Sequence, residues 1–199
     1  MAYRIISPAT VEPITLAEAR SHLRIEPYGS PLEHPDDTYI STLITVAREF
    51  CEQYLERALA VQTIEEAFDD FPSQAIPLPL TPTVSITSVT YVDTSDVEQT
   101  LSATVYSLDD YSEPNWLVLR ANQRWALSNG SANNVKVRMV VGYEPTNVPT
   151  PIKAAMLLII GNFYENRQQD VLGNTRISFN SLPLGVYNLL QPYRLNMGM

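Results

Sequence analysis

The residues able to do chemistry are few and scattered. His22 and His34 are the only histidines, and neither stands in an H-E-x-x-H or comparable ligand spacing. No C-x-x-C and no GxxxxGK[ST] occurs, so zinc sites and phosphate-cradling loops have no support. Both histidines read as surface residues, one near a helix end and one in a loop. Three acidic pairs, Asp36-Asp37, Asp69-Asp70 and Asp109-Asp110, carry the hard oxygens a divalent cation prefers. Such a site needs several convergent ligands, and each pair adjoins a predicted cap or turn, where aspartate serves the backbone. Ser128 and Ser131 do not form G-x-S-x-G, so no serine elbow is present. Cys51 falls on an apolar helical stripe and reads as a small core residue. Tyr91, Tyr106, Tyr111, Trp116 and Trp125 lack interleaved lysine or arginine, which argues against a nucleic-acid stacking platform. The expectation is a protein that is no enzyme and holds neither metal nor cofactor.

The bulk numbers point the same way. The chain has 199 residues, 45% hydrophobic and 18% charged, with a formal net charge of −9. That length supports one ordinary core or a core plus a subdomain. An acidic protein does not grip phosphates, although it suits a surface past which DNA must slide. A single cysteine allows no internal disulfide. The first residues, MAYRIISPAT, lack the basic and apolar regions of a signal peptide, and no segment reaches the roughly 20 apolar residues of a membrane span. A soluble, cytoplasmic product is expected.

The elements that position these residues follow from periodicity. Residues 1–14 read as an extended arm interrupted by Pro8 and Pro13. In ITLAEARSHLRI, Thr15 and Glu18 fit a capping box ahead of a short amphipathic helix. EPYGSPLEHP is a loop. Asp36 or Asp37 then caps a helix to about Leu59, with Ile40, Leu43, Ile44, Ala47, Phe50, Cys51, Tyr54 and Leu55 at helical spacing. Residues 61–145 alternate β-branched and aromatic segments with turns, and predict a small antiparallel β-subdomain of roughly five strands. Within it, Asp93–Asp96 and Asn129-Gly130 are turn signals, and AIPLPLTP is an edge strand or connector.

The central stretch is VPTPIKAAMLLIIGNFYENR. Thr150 reads as the N-cap with Pro151 at the first helical position. Ala154 to Ile160 is apolar throughout, so this helix is predicted to be covered on all sides. One side faces the chain's own core, and the other faces more core or a neighbouring subunit. LGVYNLLQPYRL gives a short terminal helix stopped by Pro192. The overall expectation is α+β: a helical bundle with an inserted antiparallel β-subdomain. The expected division is 1–60 for the arm and first helices, 61–145 for the β-rich insertion and 146–199 for the closing helices, loop and tail.

Three segments carry a resemblance: EPITLAEARSHLRI with DDTYISTLITVAREFCEQYLERAL; then ITSVTYVDTSDVEQTLSATVYSLD; then VPTPIKAAMLLIIGNFYENRQQ with LPLGVYNLLQPYR. In that order and spacing the chain resembles the head–tail connector (adaptor) proteins of long-tailed bacteriophages and prophages. The resemblance implies a virion protein of the neck, made in the host cytoplasm. It implies a ring of about a dozen copies under the portal, extending the DNA channel and carrying the next neck or tail-completion protein. DNA would pass without specific binding, and no membrane is involved.

Candidate residues follow from the helix and tail. Met156, Leu157, Ile160, Tyr164, Glu165 and Arg167 are expected at the subunit contact. Leu189, Leu190, Tyr193, Arg194 and Leu195 are expected to dock on the portal or a neighbour, because the tail has little core of its own to join. Gln169, Asp170, Gly173 and Asn174 are expected in a flexible loop facing the lumen or a partner. A different reading is a monomeric module whose β-subdomain recognises a protein or glycan through Tyr106, Tyr111, Trp116 and Trp125. A third is a hydrolase built on the aspartate pairs.

Overall fold

The computed structural model describes residues 3–26, 28, 33–72, 75–167 and 184–195. It is α+β, with four α-helices and two antiparallel sheets among these residues. The chain divides into two units. One holds Met1–Val11, Glu56–Tyr143 and Leu195–Met199; the other holds Glu12–Leu55 and Glu144–Arg194.

The helical unit contains α1 (Leu16–Leu23), α2 (Asp37–Leu55), α3 (Thr150–Glu165) and α4 (Leu184–Leu190). The expected capping box starts α1: the Glu18 N–H donates to Thr15 Oγ1 at 3.1 Å, and Glu18 Oε2 accepts from the Thr15 N–H at 2.7 Å. Arg24 ends the helix in the left-handed region, an αL cap without glycine. Along α2 the residues Ile40, Leu43, Ile44, Ala47, Cys51 and Leu55 are buried, the stripe the spacing predicts. The helix ends at Leu55, four residues before Leu59, and Glu56 follows it with φ 57°. Packing pairs α2 with α3, α3 with α4, and α1 with both α2 and α3.

The strand unit is richer than the expected five strands. Its larger sheet runs β1 (Tyr3–Ser7), β2 (Gln62–Phe68), β8 (Val135–Val141), β4 (Thr83–Val92), β5 (Glu98–Thr100). A second sheet runs β3 (Ala75–Pro77), β7 (Trp116–Leu119), β6 (Tyr106–Asp109). One core draws from both: Ile64, Val89, Val137 and Met139 from the first, Ile76, Tyr106 and Leu117 from the second. The proline-rich β3 is an edge strand, as expected of a segment short of N–H donors. The Asp93 turn joins β4 to β5, its carboxylate accepting from the Ser95 and Val97 N–H groups. Asn129-Gly130 sits in a long irregular connection instead of a hairpin.

The N-terminal arm lies in the strand unit as β1, antiparallel to β2 with Ile5 opposite Ile64. A strand partner some sixty residues away leaves no local mark, so periodicity alone could not place it.

Candidate functional site

The residues singled out for chemistry are held in structural roles. Cys51 is fully buried, and burial pushes its thiol up to about 12, so it is not a nucleophile near neutrality. The aspartates are engaged in structure. Asp37 takes the Arg20 guanidinium on both oxygens and the His34 N–H at 2.8 Å. Asp69 accepts from the Asn133 N–H at 2.9 Å, and Asp70 from the Phe71 N–H at 2.7 Å. Asp109 accepts from the Tyr111 N–H and the Ser112 hydroxyl. No group of three or more metal-ligating side chains occurs among the described residues. The proposed aromatic patch does not assemble either: Tyr106 is buried in the core and Trp125 stacks on Phe71 at 5.1 Å, while Tyr111 stands 99% exposed. What the structure offers is surface for association.

The first surface is on α3. Its burial is periodic even though its sequence is not. Ile152, Ala155, Met156, Ile159 and Ile160 are buried, the i, i+3, i+4 row of a helix facing its core. Ala154, Leu157 and Gly161 are half-buried and Leu158 is 37% exposed. The helix is therefore not covered all round. Met156 and Ile160 are 0% exposed in the single chain. Leu157 stays at the surface and Leu158, absent from the expected set, joins it. The run AAMLLII hides this, because no polar residue marks the outward side. An open groove of about 550 Å³ lies beside this face, lined by Ala17, Glu18, Ser21, His22 and Leu157. His22 is exposed at its rim, as expected, and lies close to Gly161.

The end of α3 is clasped to the start of α2. The Tyr164 hydroxyl donates to Asp36 Oδ2 at 2.5 Å, and Arg167 Nη2 donates to the same oxygen at 2.7 Å. The Arg167 guanidinium lies 4.6 Å from the Tyr39 ring centroid and 4.5 Å from that of Tyr164, within cation–π range. The Arg167 bond first, then the Tyr164 bond, holds the Asp36 carboxyl below its ordinary range. Tyr164 and Arg167 make these bonds within the chain. Glu165 remains exposed.

The tail has more core than expected. Val186 and Leu190 are fully buried and Leu195 is 6% exposed. The Tyr54 hydroxyl donates to Gln191 at 2.8 Å, and the Tyr54 and Tyr187 rings meet edge-on at 5.4 Å. Leu189 and Tyr193 are half-buried, and Arg194 is exposed over the Tyr54 ring. Gln169, Asp170, Gly173 and Asn174 lie outside the described residues.

The strand unit adds two features that sequence reasoning missed. Glu65 and Glu66 are adjacent on β2, so their side chains leave on opposite faces. Burial raises the Glu65 carboxyl, but the Arg138 and Arg4 guanidiniums outweigh it and leave the group below its ordinary range. Glu66 points to the core side and is 1% exposed; burial pushes it up to about 7. The other feature is β1, whose five residues are all exposed.

Comparison with known proteins follows this geometry. Residues 13–107 match the family described as Phage gp6-like head-tail connector protein. That match covers α1, α2 and strands β2 to β5, and ends within β6. No curated protein matches the chain. Three solved structures share its fold over its whole length. A chain titled as the neck of an empty GTA particle computed with C6 symmetry is 19% identical, with TM-score 0.80 and 100% of this chain covering 98% of that one. A chain from the virion of a native gene transfer agent (GTA) particle gives TM-score 0.77 at 19% identity, with the same coverage. A chain from the neck of a native GTA particle computed with C12 symmetry gives 0.70 at 19% identity, again with the same coverage.

Proposed function

We propose that this chain is a structural subunit of a virion neck, a head–tail connector that assembles as a ring below the portal. The carrying observation is the coincidence of two independent likenesses: residues 13–107 match the connector family, and the whole fold matches chains from GTA necks. The symmetry of those particles, sixfold or twelvefold, supports a closed ring over an open dimer. On this reading the ring extends the DNA channel and gives a neck or tail-completion protein its platform. The helices pack as the bundle of each subunit, and the protein does no catalysis.

The remaining surface residues take roles within that proposal. Leu157 and Leu158 on α3, with Glu165 beyond them, are the helical unit's share of the subunit contact. Leu189, Tyr193 and Arg194 on the tail meet the portal. Gln169, Asp170, Gly173 and Asn174 belong to the segment facing the lumen or a partner. The net charge of −9 keeps DNA moving, since an acidic protein gains little from counterion release. Substituting Leu158 by Lys tests the contact. Rings seen by negative-stain microscopy with portal present should be lost while the folded monomer persists. Rings of unchanged yield would remove α3 from the interface.

A further inference from the structure

The larger sheet has two opposite edges, β1 and β5. On β1, Tyr3 is 43% exposed, Ile5 55% and Ile6 39%. Natural sheets usually protect such an edge with lysine, proline or an inward charge, because an apolar open edge recruits another strand. The sequence YRIIS has no lysine, no proline and no carboxylate. Its register makes the exposure telling. Tyr3 lies opposite Glu66 and Ile5 opposite Ile64, and both partners are buried. The core side of the sheet therefore continues onto β1, where its cover runs out. The far edge has a different character. All of β5 is exposed and polar, with Glu98 in the strand and Asp93 and Asp96 in the preceding turn. Val97, 50% exposed, flanks it on one side, while the apolar Leu101 on the other is buried at 8%.

We propose that β1 of one copy pairs with the β5 edge of the next copy, so that the sheet runs on from subunit to subunit. Main-chain hydrogen bonds supply the affinity of such strand addition, and the alternating side chains supply its specificity. The charges agree: β1 brings one cation, Arg4, whose side chain is 68% exposed even while bonded to Glu65. The β5 edge brings Glu98 and the two turn aspartates. Pairing β1 with β1 would set two Arg4 side chains together and stop at a dimer. Joining opposite edges of one sheet is head-to-tail, the kind of contact that closes into a ring. The inference rests on the ring reading and names a contact within it.

Disulfide trapping in the full chain tests this directly. Four double variants combine Ile5→Cys or Ile6→Cys with Glu98→Cys or Thr100→Cys, which samples both faces and registers. The native Cys51 is buried and stays silent. After mild oxidation at high protein concentration, at least one pair should give a ladder of dimers, trimers and larger species. The matching single variants should stay monomeric. No ladder from any pair, or β1 single variants dimerising as readily as the pairs, overturns the inference. Ile6→Lys separates it from the ring reading. Position 6 is already exposed, so the thermal midpoint should not move, while rings formed with the portal should be lost. Rings from Ile6→Lys matching the parent's overturn the edge pairing and leave the ring standing. A parent that forms no ring with the portal, together with no ladder from any double variant, defeats both.

Discussion

At position 66 a carboxyl faces the core of the strand unit with Oε2 buried and without a hydrogen-bond partner. Its folded value is about 7 against an ordinary 4.5. Below the ordinary value both states hold the proton and nothing is lost. Between the two values the folded chain keeps a proton the unfolded chain has released, so stability falls as pH rises. The loss is complete above the folded value and amounts to roughly 3 kcal/mol. Glu66→Gln should therefore flatten urea stability across that window and raise it on the alkaline side; an unchanged slope would contradict the assignment. Asp36 and Glu65 act in the opposite sense. Both are held below the ordinary range, so the stability they confer is lost as pH falls. Gly142 makes a second point at this scale. Its φ is +107°, and a Cβ there would lie 2.1 Å from the Ala60 carbonyl oxygen. Gly142→Ala should cost on the order of 3 kcal/mol in chemical denaturation. Neither role was legible in the sequence: in TIEEAF nothing tells which glutamate faces inward, and Gly142 looks like an ordinary turn residue.

Among the elements, α3 joins core and surface on one apolar helix. Ile159→Ala, on the buried row, should cost about 2–5 kcal/mol. Leu158→Lys, one residue earlier on the outward face, should change stability by no more than about 0.5 kcal/mol. Thermal melts of the two variants distinguish a helix with a real outward face from one enclosed all round, where both would be severe. Local signals served best where structure is local. Thr15 and Glu18 announced the α1 cap, and the α2 stripe matched its buried residues. The Thr150 cap was misjudged by one position: Pro149 precedes the helix without a side-chain bond, and Thr150 is its first residue. Helix ends are the least fixed part of any periodic pattern. Strands fared worse. β5, β6 and β7 have three or four residues each, too short to show a period of two. β1 needs β2, and Arg4 needs Glu65 at a separation of 61 residues.

For the whole molecule, the sequence showed the α+β class, the acidic balance and the likeness to connectors. Met1–Val11 joins the strand unit although two helices intervene in the sequence, and no local pattern marks that grouping. A net charge of −9 predicts no retained duplex DNA in a gel shift at physiological salt; a stable, salt-sensitive complex would contradict a conduit role. No helix among the described residues is long and apolar enough to cross a membrane. The most direct test of the central claim is electron microscopy of the purified chain mixed with its portal protein. The expected image is a ring coaxial with the portal, of sixfold or twelvefold symmetry. Bare portals among dispersed monomers would contradict it.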